Sequence, residues 1–517
     1  MPGPNLVSGA RIRVGSASTA EPATRSPRFA TSGTDTSVLV TSPTSTWSGT
    51  AVCLGSPPVV IDDGTIRLLL VGEIYNGDRI AAALRHGTEH DGDAALVLAA
   101  WRHWGAGAFR ALNGRYAVVL EDGHSGEVVI ATDHAGSVPL WIRADEQGVD
   151  VSTELKVLSG VPGASVLVAG AECLPGLSGA HRVPAATVLV MHGVGKGKPV
   201  SRPLRTWLPP MSRRLMDEDA AVAEVGVRLS EAVRGRVRDD PKPTVVLSGG
   251  IDSSGVAAHV AARTGRLFSV SMGTDISDEF SAAASVARHL RTDHQELTVP
   301  SADLVRELPW VVWAAEITDH SILEYLLPLV SLYRRLEPGP RRLLTGYGAD
   351  IPLGGMHRLT ERLSSLDAVI SDDMATFDGL NEMSPVLSGI AGIWSTHPYW
   401  DKDLLDVLVG LEAGLKRRYG RDKWVLRQSL AGLLPAETVA RPKLGIHEGS
   451  GTTSAWTAAL VAEGVPGNRV DEIKEAMTAR MYEMVVKGRE HPADVSFDDV
   501  LHDLHHGWKT QRGLTTP

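Results

Sequence analysis

The segment Leu247–Ser254 reads LSGGIDSS and concentrates groups suited to a polyphosphate. Ser248, Gly249 and Gly250 form a small polar turn directly after the apolar run Thr244–Val246, and Asp252, Ser253 and Ser254 open a helical stretch. At the carboxyl end of a buried strand, such a turn offers backbone N–H groups and hydroxyls to an anion at a helix N-terminus. The lysine of the common phosphate loop, GxxxxGK[ST], is missing. Each residue alone could be a turn glycine or a helix cap; the order of strand, loop and helix favours a nucleotide.

The elements that would position this loop follow from periodicity. Val222, Val225, Leu229, Val233 and Val237 make one apolar stripe of a helix. After it, TVVLS, LFSVSMG, HQELTVP and RRLLTGYG alternate with helical segments, the pattern of a parallel sheet covered on both faces, and a long helical region follows. The part before it differs. From about Ser48 to Met191 short strand-like runs recur, among them TIRLLLVGEIYN and a hairpin RYAVVLEDGHSGEVVIATD with EDGHSG as its turn. DGDAALVLAAWRHWG and TELKVLSG read as helices between these strands, the first 45 residues as irregular, and Arg202–Leu215 as a linker.

Composition sets outer limits. A chain of 517 residues exceeds the roughly 250–300 that one core supports, so two or three domains are expected. The net charge of −10 and pI near 6.0 carry no nucleic-acid signature, so a small-molecule substrate is expected. Cys53 and Cys173 lie far apart without metal-ligand spacing. The opening residues lack a signal peptide's apolar region, and no run is long and apolar enough to span a bilayer; a cytoplasmic protein is expected. His502, His505 and His506 in LHDLHHGW read as a solvated terminal helix, and GLTTP as a loose tail.

LSGGIDSS resembles the pyrophosphatase loop, SGGxDS, of enzymes that cleave ATP between its α- and β-phosphates and attach AMP to an acceptor. That resemblance implies ATP contacts from Val246, Leu247, Ser248, Gly249, Gly250, Asp252, Ser253, Ser254 and Gly346, with Lys423 as a weaker phosphate candidate. Met272 in SVSMGTD stands where such folds place adenine, though a core methionine explains it as well. GEIYN (Gly72–Asn76), NGRYAVVLED (Asn113–Asp122), ATDHAGSVPLW (Ala131–Trp141) and STELKVL (Ser152–Leu158) extend the likeness. Over essentially its full length the chain resembles the asparagine synthetase superfamily. The fold implied is an α+β, Ntn-hydrolase-like αββα sandwich over residues 1–205, then an α/β ATP pyrophosphatase domain with a parallel sheet over 212–517. The family's glutaminase needs a cysteine after the initiator methionine; here the second residue is Pro2, so a silent amidotransferase domain is expected.

TGYGADIPLGG (Thr345–Gly355) stands where asparagine synthetases carry GEGADE, with Tyr347 in place of the first glutamate. With DMATFDGLNEMSPVLS (Asp373–Ser388), GRDKWVLR (Gly420–Arg427) and RPKLGIHEGSGTTSAW (Arg441–Trp456), the likeness narrows to the superfamily's β-lactam-forming branch. The resemblance implies that ATP and Mg²⁺ adenylate the β-carboxylate of N2-(2-carboxyethyl)-L-arginine, whose secondary amine closes the ring to deoxyguanidinoproclavaminate. It implies Asp252 and Asp350 as metal ligands, Tyr347 as base with Glu382 as its partner, and Lys443 beside the developing oxyanion. Tyr325, Gly348, Asp350 and Asp373 would join Tyr347 and Glu382 at the substrate, Asp373 facing the guanidinium. A carbapenam-forming cyclase and an ammonia-using asparagine synthetase are the alternatives, and the resemblance leaves room for a homodimer.

Overall fold

The computed structural model describes residues 4–16, 29–42, 45–84, 92–158, 172–173, 179–210, 216–238, 240, 242–337, 341–355, 362–376, 384–442 and 445–511. In the first part, strands Ile66–Ile74, Gly114–Asp122, Glu127–Thr132, Thr187–His192 and Val200–Arg205 pair antiparallel in that order. A second layer is centred on Leu6–Gly15, which pairs with Thr46–Leu54 and Gly148–Ser152; one parallel pairing, Val7 with Val71, joins the layers. Ile12, Val14, Trp47, Leu69, Val119 and Ile130 fill the space between them. Helices Gly77–Leu84 and Asp93–Trp104 cover the outer face of the first layer. The short helix Pro385–Gly389, from the second half of the chain, packs on Leu6–Gly15, and the Ser32 N–H donates to the Gly389 carbonyl at 2.6 Å.

The structure corrects three expectations here. The opening residues are not irregular throughout, because Leu6–Gly15 is a ten-residue strand and Thr34–Thr41 another. Their Ser, Gly, Thr and Ala content hides a strand that gains its stability from two neighbouring ladders. Residues 153–158, the described part of TELKVLSG, hold one 3₁₀ turn, Leu155–Val157, where Glu316 accepts the Leu155 and Lys156 N–H groups at 2.7 Å each. Arg202–Arg205 belongs to an edge strand, where Pro203 is tolerated. The GLTTP tail lies outside the described residues.

The second part holds five parallel strands in the order Asp293–Val299, Phe268–Thr274, Thr244–Val246, Arg341–Leu344, Ile393–Thr396. The fifth was not anticipated. Neighbouring residues of the central strand enter different cores, Val245 with Leu229 and Val256 on one face and Val246 with Val330 and Met477 on the other. Burial on both faces explains the continuous apolar runs. The expected stripe lies on helix Glu218–Val237, which also buries Arg236. No helix among the described residues is long and apolar enough to cross a membrane.

Buried polar contacts tie the two parts together. Glu73 of GEIYN accepts from Arg342 at 2.5 Å and from the Trp394 indole at 2.9 Å. Burial alone would raise the Glu73 carboxyl, but Arg342 and Arg238 outweigh it and hold the group down at about 2. Lys156 lies 2.6 Å from Glu154 and 3.1 Å from Glu316, one carboxylate from each half.

Candidate active site

The loop Leu247–Gly250 leaves the central strand at the carboxyl edge of the parallel sheet, and helix Ile251–Thr264 begins immediately after it. The Leu247 N–H donates to the Val270 carbonyl at 2.8 Å, and the Ser248 N–H to Ser253 Oγ at 3.1 Å. Ser248 Oγ in turn accepts from the Gly250 N–H at 3.3 Å, so the serines brace the turn. Ser253 and Ser254 are buried, Ser248, Gly250 and Asp252 half-buried. Gly249 has φ +74°, and a Cβ there would meet the Ala282 carbonyl carbon at 2.4 Å. A Cβ on Gly346 would stand 2.3 Å from the Ser253 nitrogen, so the second loop reaches the first only because glycine occupies this position. Met272 is half-buried and packs against the core that holds Val246.

Asp252 and Asp350, from these two loops, converge on one cation. Lys423 Nζ lies 2.5 Å from Asp252 Oδ2 and 2.5 Å from Asp350 Oδ1, with the lysine fully buried. Lys423 adopts a left-handed conformation (φ 52°) just before helix Trp424–Leu430, and this aims its side chain between the loops. Desolvation would lower its pKa, but the two carboxylates outweigh that and raise it above the usual lysine range. Sequence reasoning gave Lys423 only a secondary phosphate role; the structure makes it the common partner of both aspartates. Two carboxylates sharing one cation form the donor set that Mg²⁺ takes when phosphates and water complete its shell. No cluster of three or more His, Cys, Asp or Glu side chains that could hold a metal ion occurs among the described residues.

Tyr347 stands on the same loop as Asp350. Its N–H donates to Thr345 Oγ1 at 3.2 Å, and its ring lies between Tyr325 at 6.2 Å and His397 at 5.6 Å, both edge-on. Thr345 Oγ1 is 2.7 Å from His397 Nδ1. Asp373 sits in the last turn of helix Leu363–Thr376, half-buried, on a helix that packs against Asp350–Leu353. Glu382 and Lys443 lie outside the described residues.

Sequence reasoning missed four supports. Trp400 Nε1 donates to the Gly348 carbonyl at 3.1 Å, and the Tyr399 hydroxyl to the Asp252 carbonyl at 3.1 Å. Burial, reinforced by Asp252 and Asp350, raises the Tyr399 phenol well above its ordinary value, so it remains a donor. With His397 these residues form HPYW, an aromatic cluster just past the fifth strand, and that density was the available signal. Arg441 donates to the Ser248 carbonyl at 3.3 Å and to Glu279 at 2.9 Å, holding the start of the Lys443 segment against the phosphate loop. In the first part, Cys53 is buried in a strand and burial pushes its thiol up, which suits packing and not nucleophilic attack.

A family model for asparagine synthase matches residues 224–383 and 387–483, and one for a glutamine amidotransferase domain matches residues 48–160. The carboxyethyl-arginine β-lactam-synthase of Streptomyces clavuligerus is 49% identical over 492 residues, 92% of this chain and 93% of that protein. The chain belongs to the asparagine synthetase superfamily. More distant superfamily relatives include asparagine synthetase B of Escherichia coli, 24% identical over 77% of this chain and 72% of that protein. An asparagine synthetase of Oryza sativa is 25% identical over 77% of this chain and 68% of that protein. As a superfamily member the chain is an ATP-dependent ligase, with its loops assembled at the parallel sheet's carboxyl edge.

Proposed function

We propose that this protein closes a β-lactam ring by ATP-dependent intramolecular amide synthesis in the cytoplasm. The observation that carries the reading is the 49% identity to a carboxyethyl-arginine β-lactam-synthase across both halves of the chain. The substrate is then N2-(2-carboxyethyl)-L-arginine and the product deoxyguanidinoproclavaminate, with AMP and pyrophosphate released. Residues 1–205 and 212–517 are the two working units, the first without a glutaminase nucleophile.

An oxygen of the substrate β-carboxylate attacks the α-phosphorus, and the bond to pyrophosphate breaks. Leu247–Gly250 and the first turn of helix Ile251–Thr264 hold the departing pyrophosphate through backbone N–H groups. Asp252 and Asp350 would hold Mg²⁺, which would supply charge neutralisation of the phosphates. The secondary amine then attacks the acyl carbon, forming C–N, and AMP leaves with the former carboxylate oxygen. Tyr347 takes the amine proton. A phenol with an ordinary pKa of ~10 needs a partner to do so, and that role falls to Glu382. Tyr325 and His397 fix the plane of the Tyr347 ring. Lys443 stabilises the oxyanion, and Asp373 pairs with the substrate guanidinium through parallel hydrogen bonds.

Incubation with ATP, Mg²⁺ and carboxyethylarginine, followed by mass analysis, tests this. The expected product is lighter than the substrate by one water, with one AMP and one pyrophosphate per ring. Asparagine formed from aspartate and glutamine, with no cyclised product, would overturn the reading.

A further inference from the structure

A cavity of about 10 Å³ lies between the two halves, with Tyr75, Arg115, His134, Arg236, His397 and Trp400 among its lining residues. That volume admits a single atom-sized occupant. Arg115 is 3% exposed and Arg236 2%. Arg115 donates through Nη1 to the Ser395 carbonyl and lies over the Trp394 ring, but its Nε and Nη2 have no partner among the described residues. Arg236 binds Asp401 at 2.8 Å, and its Nε is likewise unpartnered.

The nearby carboxylates are already engaged. Glu73 holds Arg342 and Trp394, and Asp401 holds Arg236 and Asn113. Asp133 accepts from the N–H groups of Tyr116, Ala135 and Ser137 and from the Ser137 hydroxyl. The cavity's oxygens are paired as well, Tyr75 Oη with Thr396 Oγ1 at 2.9 Å. His134 Nε2 faces the Trp400 carbonyl at 2.9 Å. On the two guanidinium groups three buried nitrogens are left without a partner, and no carboxylate lies within 4 Å of Arg115 among the described residues. A buried cation without a close partner is costly, and an anion accepts from several N–H groups at once where a water accepts from at most two.

We infer that this cavity is a binding site for a small monovalent anion of halide size, held by Arg115 and Arg236 at the junction of the two halves. The anion accepts from these donors and adds negative charge directly beside the two guanidinium groups.

Crystals of the full chain soaked in sodium bromide should show an anomalous peak between Arg115 and Arg236. In solution, chloride or bromide should raise the unfolding midpoint saturably by about 2 °C over gluconate at equal ionic strength. Arg115→Gln should abolish that rise. Bromide only on the surface, an adventitious ion only, or water density alone in the cavity would overturn the assignment. So would a halide effect that Arg115→Gln leaves intact. The bromide peak decides in the parent protein even where the variant fails to fold.

Discussion

Replacing Lys423 by methionine removes the ammonium that, among the described residues, lies between Asp252 and Asp350. Each carboxylate oxygen stands 2.5 Å from that nitrogen, so the two oxygens are at most ~5 Å apart. Their side chains are 20% and 22% exposed, so an effective dielectric of ~20 is appropriate, and the uncovered repulsion is about 3 kcal/mol. That repulsion would raise the pKa of one aspartate in the folded variant. A carboxyl raised on folding stabilises the fold below its unfolded pKa and loses that contribution as pH rises through the folded value. Lys423→Met should therefore unfold at a similar temperature to the parent at pH 4 and about 5 °C lower at pH 8 in EDTA. Millimolar Mg²⁺ should return much of the difference, because a cation again sits between the carboxylates. Thermal unfolding followed by circular dichroism at both pH values, with and without Mg²⁺, measures this. A variant whose midpoint tracks the parent from pH 4 to 8 and ignores Mg²⁺ would refute the shared-cation geometry.

Tyr347→Phe should keep ATP–pyrophosphate exchange near the parent rate while ring closure falls ~10²–10⁴-fold, read as lactam formed per AMP; equal losses in both would place Tyr347 in adenylation instead. Asp373→Ala should raise KM for carboxyethylarginine tenfold or more, since a lost charge-assisted pair is worth ~2 kcal/mol, with KM for ATP unchanged; an unaltered KM removes the guanidinium contact. Glu73 is held at about 2 by Arg342 and Arg238 against the opposing effect of burial, so it contributes about 3 kcal/mol above its unfolded pKa of ~4.3, lost as pH falls towards 2. Glu73→Gln should flatten the acid side of the stability profile measured by denaturant titration between pH 5 and 2, and an unchanged slope would show that Glu73 does not link the two parts.

Much of the framework was legible because local pattern and tertiary role agree. The stripe on Glu218–Val237, the strands before the two loops and the hairpin at EDGHSG all carry their own period or turn signal. Legibility failed where partners distant in sequence decide the outcome. Leu6–Gly15 has a weak strand composition and is fixed by its ladders with Thr46–Leu54 and Gly148–Ser152. The turn at Leu155–Val157 is set by Glu316, 161 residues beyond Leu155. Ile393–Thr396 is too short to announce itself and becomes a strand by pairing with Arg341–Leu344.

The sequence alone determined the chemical vocabulary: a lysine-free phosphate loop, two aspartates on two glycine-bearing loops, and a tyrosine in place of a glutamate. These are local facts, because a loop's capacity to present amides depends on the few residues that build it. Only the tertiary structure decided which cation stands between the aspartates and which rings flank Tyr347. It alone also decided that two arginines face a cavity between the halves. Lys423 is 171 residues from Asp252 and 73 from Asp350, and its role depends on a through-space distance that no periodicity encodes.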